Sequence, residues 1–244
     1  MTIEVNLQQG VLVLTLARPE KKNALSQQMY RQLVSALEQA QADPQVRVVL
    51  FQGSNDCFSA GNDLADFLGG GALNAEHPTV QFLQKLATFP KPMVAAVSGL
   101  AIGIGTTMLL HCDLVYACSP CRFQLPFTQL GLCPEAGSSL LLPQLIGLQR
   151  ASAMLLLSEA VSAEQALQMG MVTELVEQAA LLEYALNKAI KLAALPADAV
   201  QTARALMRQP ASVSTAIQAE LQQFERLLAG PDCQQAVRLF LQKK

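Results

Sequence analysis

The chain has 244 residues, enough for one large domain or two small ones. Hydrophobic residues make up 51% of it and charged residues 15%, a balance that excludes intrinsic disorder. With 17 basic and 19 acidic residues and no basic tract, the net charge of -2 excludes a nucleic-acid footprint, and 5% aromatics without Trp argue against an aromatic-lined sugar site.

Val11 to Leu16 reads as a strand and Arg18 to Asn23 as a polar loop. Ser26 is a fitting N-cap for a helix to about Gln41, which Asp43-Pro44 stops. Val46 to Phe51 is nearly all apolar, as expected of a strand covered on both faces. A loop from Gln52 to Ser59 leads into Ala60-Gly61-Asn62-Asp63-Leu64 and a short helix, and Gly69-Gly70-Gly71 reads as a mobile loop tip to which His77-Pro78 belongs. Thr79 to Thr88 is a predicted helix ended by Pro90-Lys91-Pro92. A strand over Met93 to Val97, a helix over Ile104 to His111, a strand over Leu114 to Cys118 and an extended piece over Arg122 to Leu125 follow. From Gly137 onward the pattern is helical: 140–146, 151–157, 163–169, 179–194, 197–208, 213–228 and 234–242. Strands alternating with helices, then helices alone, predict an α/β core over residues 1–190 and a helical region over 191–244.

The uncharged run from Met93 to Cys112 has the length of a membrane span, about 20 residues. Its Ser98-Gly99 break and its glycines read instead as strand, turn and buried helix, so no membrane association is expected. Cys118 and Cys121 have C-x-x-C spacing, but no second pair and no ligand-spaced His accompany them, so no metal site is expected. Six cysteines at this density read as reduced thiols. The N-terminus has no basic-then-apolar signal and the C-terminus is not Ser-Lys-Leu, so the expected location is cytoplasmic.

Two strand-to-helix turns are built from small residues, Phe58-Ser59-Ala60-Gly61-Asn62-Asp63-Leu64 and Gly99-Leu100-Ala101-Ile102-Gly103-Ile104-Gly105-Thr106. Taken singly, either reads as close packing. Taken together, two chain segments with unpaired N–H groups could converge on one oxygen.

With Asn23-Ala24-Leu25, Lys91-Pro92-Met93-Val94-Ala95-Ala96-Val97-Ser98-Gly99, Cys112-Asp113-Leu114-Val115-Tyr116-Ala117 and Leu167-Gln168-Met169-Gly170-Met171-Val172, these turns resemble the crotonase (enoyl-CoA hydratase/isomerase) superfamily. The resemblance runs from about residue 3 to 230. It implies a ββα spiral with a helical C-terminal trimerisation region, and an acyl-CoA thioester substrate whose coenzyme A is part of the substrate, with no separate cofactor. By carry-over, the N–H groups of Ala60 and Ile104 hold the thioester oxygen; Ile104 stands where many members have Gly. Ala24 and Leu25 line the pantetheine channel. Gly61, Asn62 and Leu64 complete the binding turn, and Asp63 supports it. Phe127 and Leu130 are apolar walls.

Hydratases of this family use two glutamates, and the matching positions here are Thr107 and Phe127. Neither side chain can activate water. Instead, Pro126-Phe127-Thr128-Gln129-Leu130-Gly131-Leu132-Cys133-Pro134-Glu135-Ala136-Gly137-Ser138-Ser139 resembles the peroxisomal-type Δ3,Δ2-enoyl-CoA isomerases, whose catalytic base is the glutamate matched by Glu135. The resemblance therefore implies a 1,3-proton shift through an enolate. The alternatives are a hydratase, an isomerase of a ring-containing CoA thioester, and a non-catalytic crotonase-fold binding module. His111 reads as a core or interface histidine, and Lys21 and Lys22 as a solvated pair. An apolar stripe of Leu221, Phe224, Leu227 and Leu228 in the C-terminal helices predicts a partner surface, and the resemblance a homotrimer or hexamer.

Overall fold

The computed structural model describes residues 2–54, 57–65 and 72–242, so the expected glycine loop tip at 69–71 lies outside the described residues. β1 (Ile3–Gln8) and β2 (Val11–Leu16) form an antiparallel hairpin. Its two turn residues, Gln9 and Gly10, have φ of 49° and 80°, the left-handed pair that a right-twisted two-residue hairpin needs. β1, a sheet edge, is absent from the sequence-based expectation; Ile3, Val5 and Leu7 share one of its faces, and of these only Ile3 is buried.

β2 continues in parallel to β3 (Val48–Gly53), β4 (Met93–Val97), β6 (Leu114–Ala117) and β9 (Glu174–Leu175). The six-stranded sheet has the order β1-β2-β3-β4-β6-β9. All five residues of β4 are buried, as a strand covered on both faces requires. A second, three-stranded sheet holds β5 (Leu100–Ile102), β7 (Arg122–Gln124) and β8 (Val161–Ser162).

α1 (Gln27–Ala42) starts at Ser26, whose hydroxyl accepts from Met29 N, and buries Met29, Tyr30, Leu33 and Leu37. Its C-terminal end is held by Lys91. That buried ammonium donates to the carbonyls of Ala40, Asp43 and Val46 at 2.5, 2.7 and 2.9 Å, a cation on orphan helix carbonyls. α2 (Pro78–Thr88) is capped by His77, which is buried and accepts from Thr79 N; this corrects its assignment to a mobile loop. The helix expected over 104–111 is one α-turn, α3 (Ile104–Thr107), tightening into a 3₁₀ turn over Met108–His111.

The helical half comprises α4 (Ser138–Ile146), α5 (Leu148–Leu156), α6 (Ala163–Gln168), α7 (Leu181–Ala193), α8 (Ala197–Met207), α9 (Pro210–Leu228) and α10 (Pro231–Gln242). α8 is anchored by Arg204, which bonds Asp113 and the Phe89 carbonyl, both at 2.7 Å. α9 and α10 lie on the loop before α4. A Cβ on Gly137 would meet Val213 at 3.0 Å, and one on Gly131 would meet the Cys233 backbone at 2.8 Å.

The predicted partner stripe is corrected here. Phe224 is buried, and Leu221, Leu227 and Leu228 pack against the chain's own core. The most exposed apolar residues include instead Leu148, Leu156 and Leu157, with Leu145, around α4 and α5, and Leu206 and Met207 at the end of α8. No helix among the described residues is long and apolar enough to cross a membrane. The six cysteines are free thiols, with Cys118 and Cys121 Sγ atoms 4.0 Å apart.

Candidate active site

The two small-residue turns are bound together through their backbones. Phe58 N donates to Ser98 O and Ser59 N to Leu100 O, both at 2.8 Å, and Ile102 N donates to Ser59 O at 3.0 Å. Glycine is what permits this approach. A Cβ on Gly61, which sits at φ 92°, would lie 2.9 Å from Ile102 O, and one on Gly105 would lie 2.9 Å from Ser59 O.

The N–H groups of the first turn can be accounted for one by one. Ala60 N donates to Lys22 O at 2.9 Å, and Gly61 N to Ser59 Oγ at 3.1 Å. Leu25 N donates to Gly61 O at 2.8 Å and Asp63 N to Leu25 O at 2.9 Å, a parallel bridge that flanks Asn62. In such a bridge the flanked residue turns its own N–H to the other side. Asn62 N has no acceptor among the described residues, so the expectation that Ala60 supplies the free donor is corrected to Asn62. In the second turn Thr106 N and Thr107 N reach Gly103 O at 2.8 and 2.9 Å. Ile104 N opens α3 and has no acceptor among the described residues.

A polar shell fixes the first turn. Arg18 Nη1 pairs with Asp63 Oδ2 at 2.8 Å and donates to Ala24 O at 3.1 Å. The buried Asn23 side chain donates to Cys57 O at 2.6 Å and accepts from Arg18 N at 2.9 Å. Tyr30 Oη donates to Asn62 Oδ1 at 2.5 Å. Ala24 is half-buried, whereas the Leu25 side chain is in the core, so Leu25 meets the turn through its backbone. Leu64 is half-buried against the core.

Glu135 lies in the loop between β7 and α4 and is 4% exposed. Its Oε1 accepts from Thr107 Oγ1 at 2.5 Å. Burial pushes its pKa from 4.5 up to about 8; the Thr107 bond pulls it down and the charge of Glu220 adds to the rise. Glu135 also raises the pKa of the buried Tyr30, after burial itself, which places both in one electrostatic environment with Asn62. Phe127 and Leu132 are buried in the same loop and Leu130 is half-buried.

Glu135 begins a tight turn. Ser138 N donates to Glu135 O at 3.0 Å, across Ala136 and Gly137 at φ 59° and 71°. His111 Nε2 donates to Ala136 O at 2.8 Å, and burial lowers the His111 pKa to about 4, so the ring is neutral at pH 7. The Ser138 hydroxyl is buried and has no partner among the described residues.

Tyr30 and Glu220 are site residues that the sequence pattern passes over. Each occupies a buried position of a long helix, where helical period accounts for it without reference to the site. No local signal distinguishes them.

A parallel sheet with an appended helical half, carrying two glycine-dependent turns beside a loop with a buried carboxylate, is the crotonase fold. The chain belongs to the enoyl-CoA hydratase/isomerase family, whose sequence pattern matches residues 6–244. It is 38% identical to 2,3-dehydroadipyl-CoA hydratase of Escherichia coli K12, over 98% of this chain and 95% of that protein. It is 32% identical to rat enoyl-CoA delta isomerase 2 over 85% of this chain, and this match spans 54% of that longer protein. Among solved structures, Pseudomonas aeruginosa OdaA superposes with a TM-score of 0.95 at 41% identity, over 98% of each chain. The relatives thus carry both hydratase and isomerase names.

Proposed function

We propose that this enzyme catalyses a Δ3,Δ2-enoyl-CoA isomerase-like 1,3-proton shift, with Glu135 as the base. The observation that carries the reading is the Thr107–Glu135 pair. Where a hydratase would have one of its two glutamates, a threonine hydroxyl hydrogen-bonds the buried Glu135 at 2.5 Å. Two carboxylates are suited to activating water and delivering a proton. One carboxylate among apolar walls is suited to moving a single proton between two carbons.

The substrate in this reading is a 3-enoyl thioester of coenzyme A, and coenzyme A enters only as part of the substrate. Ionised Glu135 removes a proton from C2. The electron pair moves onto the thioester oxygen and gives a dienolate. The N–H groups of Asn62 and Ile104 are the donors to that oxygen. The carboxylic acid just formed returns the proton to C4, the double bond settles between C2 and C3, and Glu135 is an anion again. No water or cofactor is consumed. Phe127 and Leu130 would bound the acyl chain, and Ala24 with the 61–64 turn the thioester arm. The assembly proposed with this reading is a homotrimer or hexamer.

The hydratase name of a 38% identical relative supplies the second reading, water addition to a 2-enoyl-CoA. One preparation assayed with both a 3-enoyl-CoA and a 2-enoyl-CoA decides between them. The expected result is dominant isomerisation that Glu135→Gln reduces by about 10²–10⁴-fold, the usual contribution of a general base. Robust hydration, or isomerisation that survives in Glu135→Gln, overturns the proposal.

A further inference from the structure

We propose that Glu220, on α9, is a positioning residue that holds Glu135 in its working geometry, an inference that rests on the reading of Glu135 as the base.

Glu220 is 6% exposed, and its carboxylate is directed at the turn that begins with Glu135. Oε2 accepts from Gly137 N at 2.6 Å, and Oε1 accepts from Ser139 N at 2.9 Å and from Ser139 Oγ at 2.5 Å. Burying a carboxylate is costly unless strong donors replace its water, and these three do so. All three belong to the two residues on either side of Ser138, whose own N–H closes the turn onto Glu135 O.

The turn has a conformational reason to need this grip. Ala136 is a non-glycine residue at φ 59°, a region that L residues enter at a cost. The turn is held from two sides, by His111 on the Ala136 carbonyl and by Glu220 on the N–H groups that follow. Without Glu220, Gly137 N would lose its partner, and the chain would be free to rotate away from a left-handed Ala136. The Glu135 carboxylate would then move from the atoms it serves. Displacement of a catalytic group by about 1 Å can cost 10²-fold in rate.

Glu220 also acts through its charge. The groups facing Glu135 are Tyr30 from α1, Thr107 from α3, Cys133 from its own loop and Glu220 from α9. Burial pushes the Tyr30 phenol and the Cys133 thiol upward, which leaves Glu220, itself raised by burial and lowered by the Ser139 and Gly137 donors, as the facing carboxylate. Removing it is expected to lower the pH at which Glu135 ionises.

The test is Glu220→Gln, which keeps the side-chain shape but sets an amide N–H against one of the backbone donors. Isomerisation of a 3-enoyl-CoA is measured from pH 6 to 10, with kcat and KM separated and melting temperature recorded. The expected result is a fall in kcat of about 10–100-fold with KM changed less than about twofold, and an ascending pH limb moved to lower pH. Ser139→Ala, which removes one donor and leaves the backbone N–H groups, is expected to move kcat in the same direction by less and supplies the answer if Glu220→Gln fails to fold. A lowered melting temperature with wild-type kcat and pH limb in the folded variants overturns the proposal. Glu135→Gln assayed alongside separates the two ideas. If it is inactive while Glu220→Gln is unimpaired, only the positioning role fails; if it is fully active, the base reading fails and the positioning role falls with it.

Discussion

Thr107 Oγ1 donates to Glu135 Oε1 across 28 residues of sequence, so the helix that follows the second turn and the loop before α4 meet at one carboxylate oxygen. The bond stabilises the charged form of Glu135, against a burial that favours the neutral form. The balance leaves the group near pH 8, close enough to neutrality to accept and return a proton.

Thr107→Val removes the hydroxyl and keeps the shape. Because the Thr107 bond lowers the Glu135 pKa, its loss raises it above about 8. For a base that must be ionised, kcat/KM rises with pH through that pKa. The valine variant is therefore expected to have its ascending limb at higher pH, to lose most activity near pH 7, and to recover toward pH 10. A pH profile of kcat/KM checks this; a limb that stays in place contradicts the assignment of that limb to Glu135.

The same carboxyl makes stability depend on pH. Its pKa is about 8 folded and near 4.5 in an unfolded chain. Between those values the folded state keeps a proton that the unfolded state has released, so stability falls as pH rises from 4.5 through 8 and is level beyond. Glu135→Gln has no proton to lose. Its melting temperature is expected to exceed that of the wild type by little at pH 4.5 and by most at pH 9, where the underlying stability difference is of the order of a few kcal/mol. Glu220, also raised by burial, adds a slope of the same sign to both proteins and cancels in the comparison. Parallel thermal melts across pH that do not diverge would place the Glu135 pKa elsewhere.

The legibility of these features in the sequence follows the range of the forces behind them. The glycines of the two turns were readable because the demand for small residues is local, and the strand-helix alternation because burial imposes its period along the chain. Which N–H of the first turn stays free was not readable, since Ala60 N is taken by Lys22 O, a partner on another segment. Glu220 was hidden for the same reason: it serves Gly137 from 83 residues away. The stripe around Phe224 gave a correct period and an incorrect inference, because an apolar helical face does not say which surface covers it, and here the chain covers its own. β1 does carry a period-two signal, Ile3, Val5 and Leu7 alternating with Glu4, Asn6 and Gln8, but it is short and its apolar face is buried only at Ile3.

An oligomer is expected on different residues from that stripe. Leu148, Leu156 and Leu157 are 64%, 65% and 66% exposed, beside Leu145 at 47%. Exposed leucines at this density around two packed helices call for cover. Ultracentrifugation of the 26.2 kDa chain is expected to give a trimer or hexamer at micromolar concentration, and Leu148→Glu with Leu156→Glu to shift it toward monomer. A wild-type monomer, or a double variant that assembles unchanged, would remove these leucines from any interface.

The last prediction concerns the backbone donors. Ile104 N opens α3, where proline is tolerated because the N–H has no intrahelical partner. Ile104→Pro therefore removes one N–H and nothing charged. If that N–H serves charge developing on the thioester oxygen, the loss is expected to be about 10²–10³-fold in turnover, or about 3–4 kcal/mol. Ile104→Ala keeps the donor and opens a cavity beside a fully buried side chain. Its effect is expected mainly in stability, about 2–5 kcal/mol for such a truncation, with turnover of the folded fraction little changed. The pair separates a backbone role from a side-chain role. Turnover is to be measured per folded molecule, with circular dichroism fixing that fraction. Should the alanine variant lose as much turnover as the proline variant, Ile104 acts through its side chain, and the donor to the thioester oxygen must be sought at another N–H of the two turns.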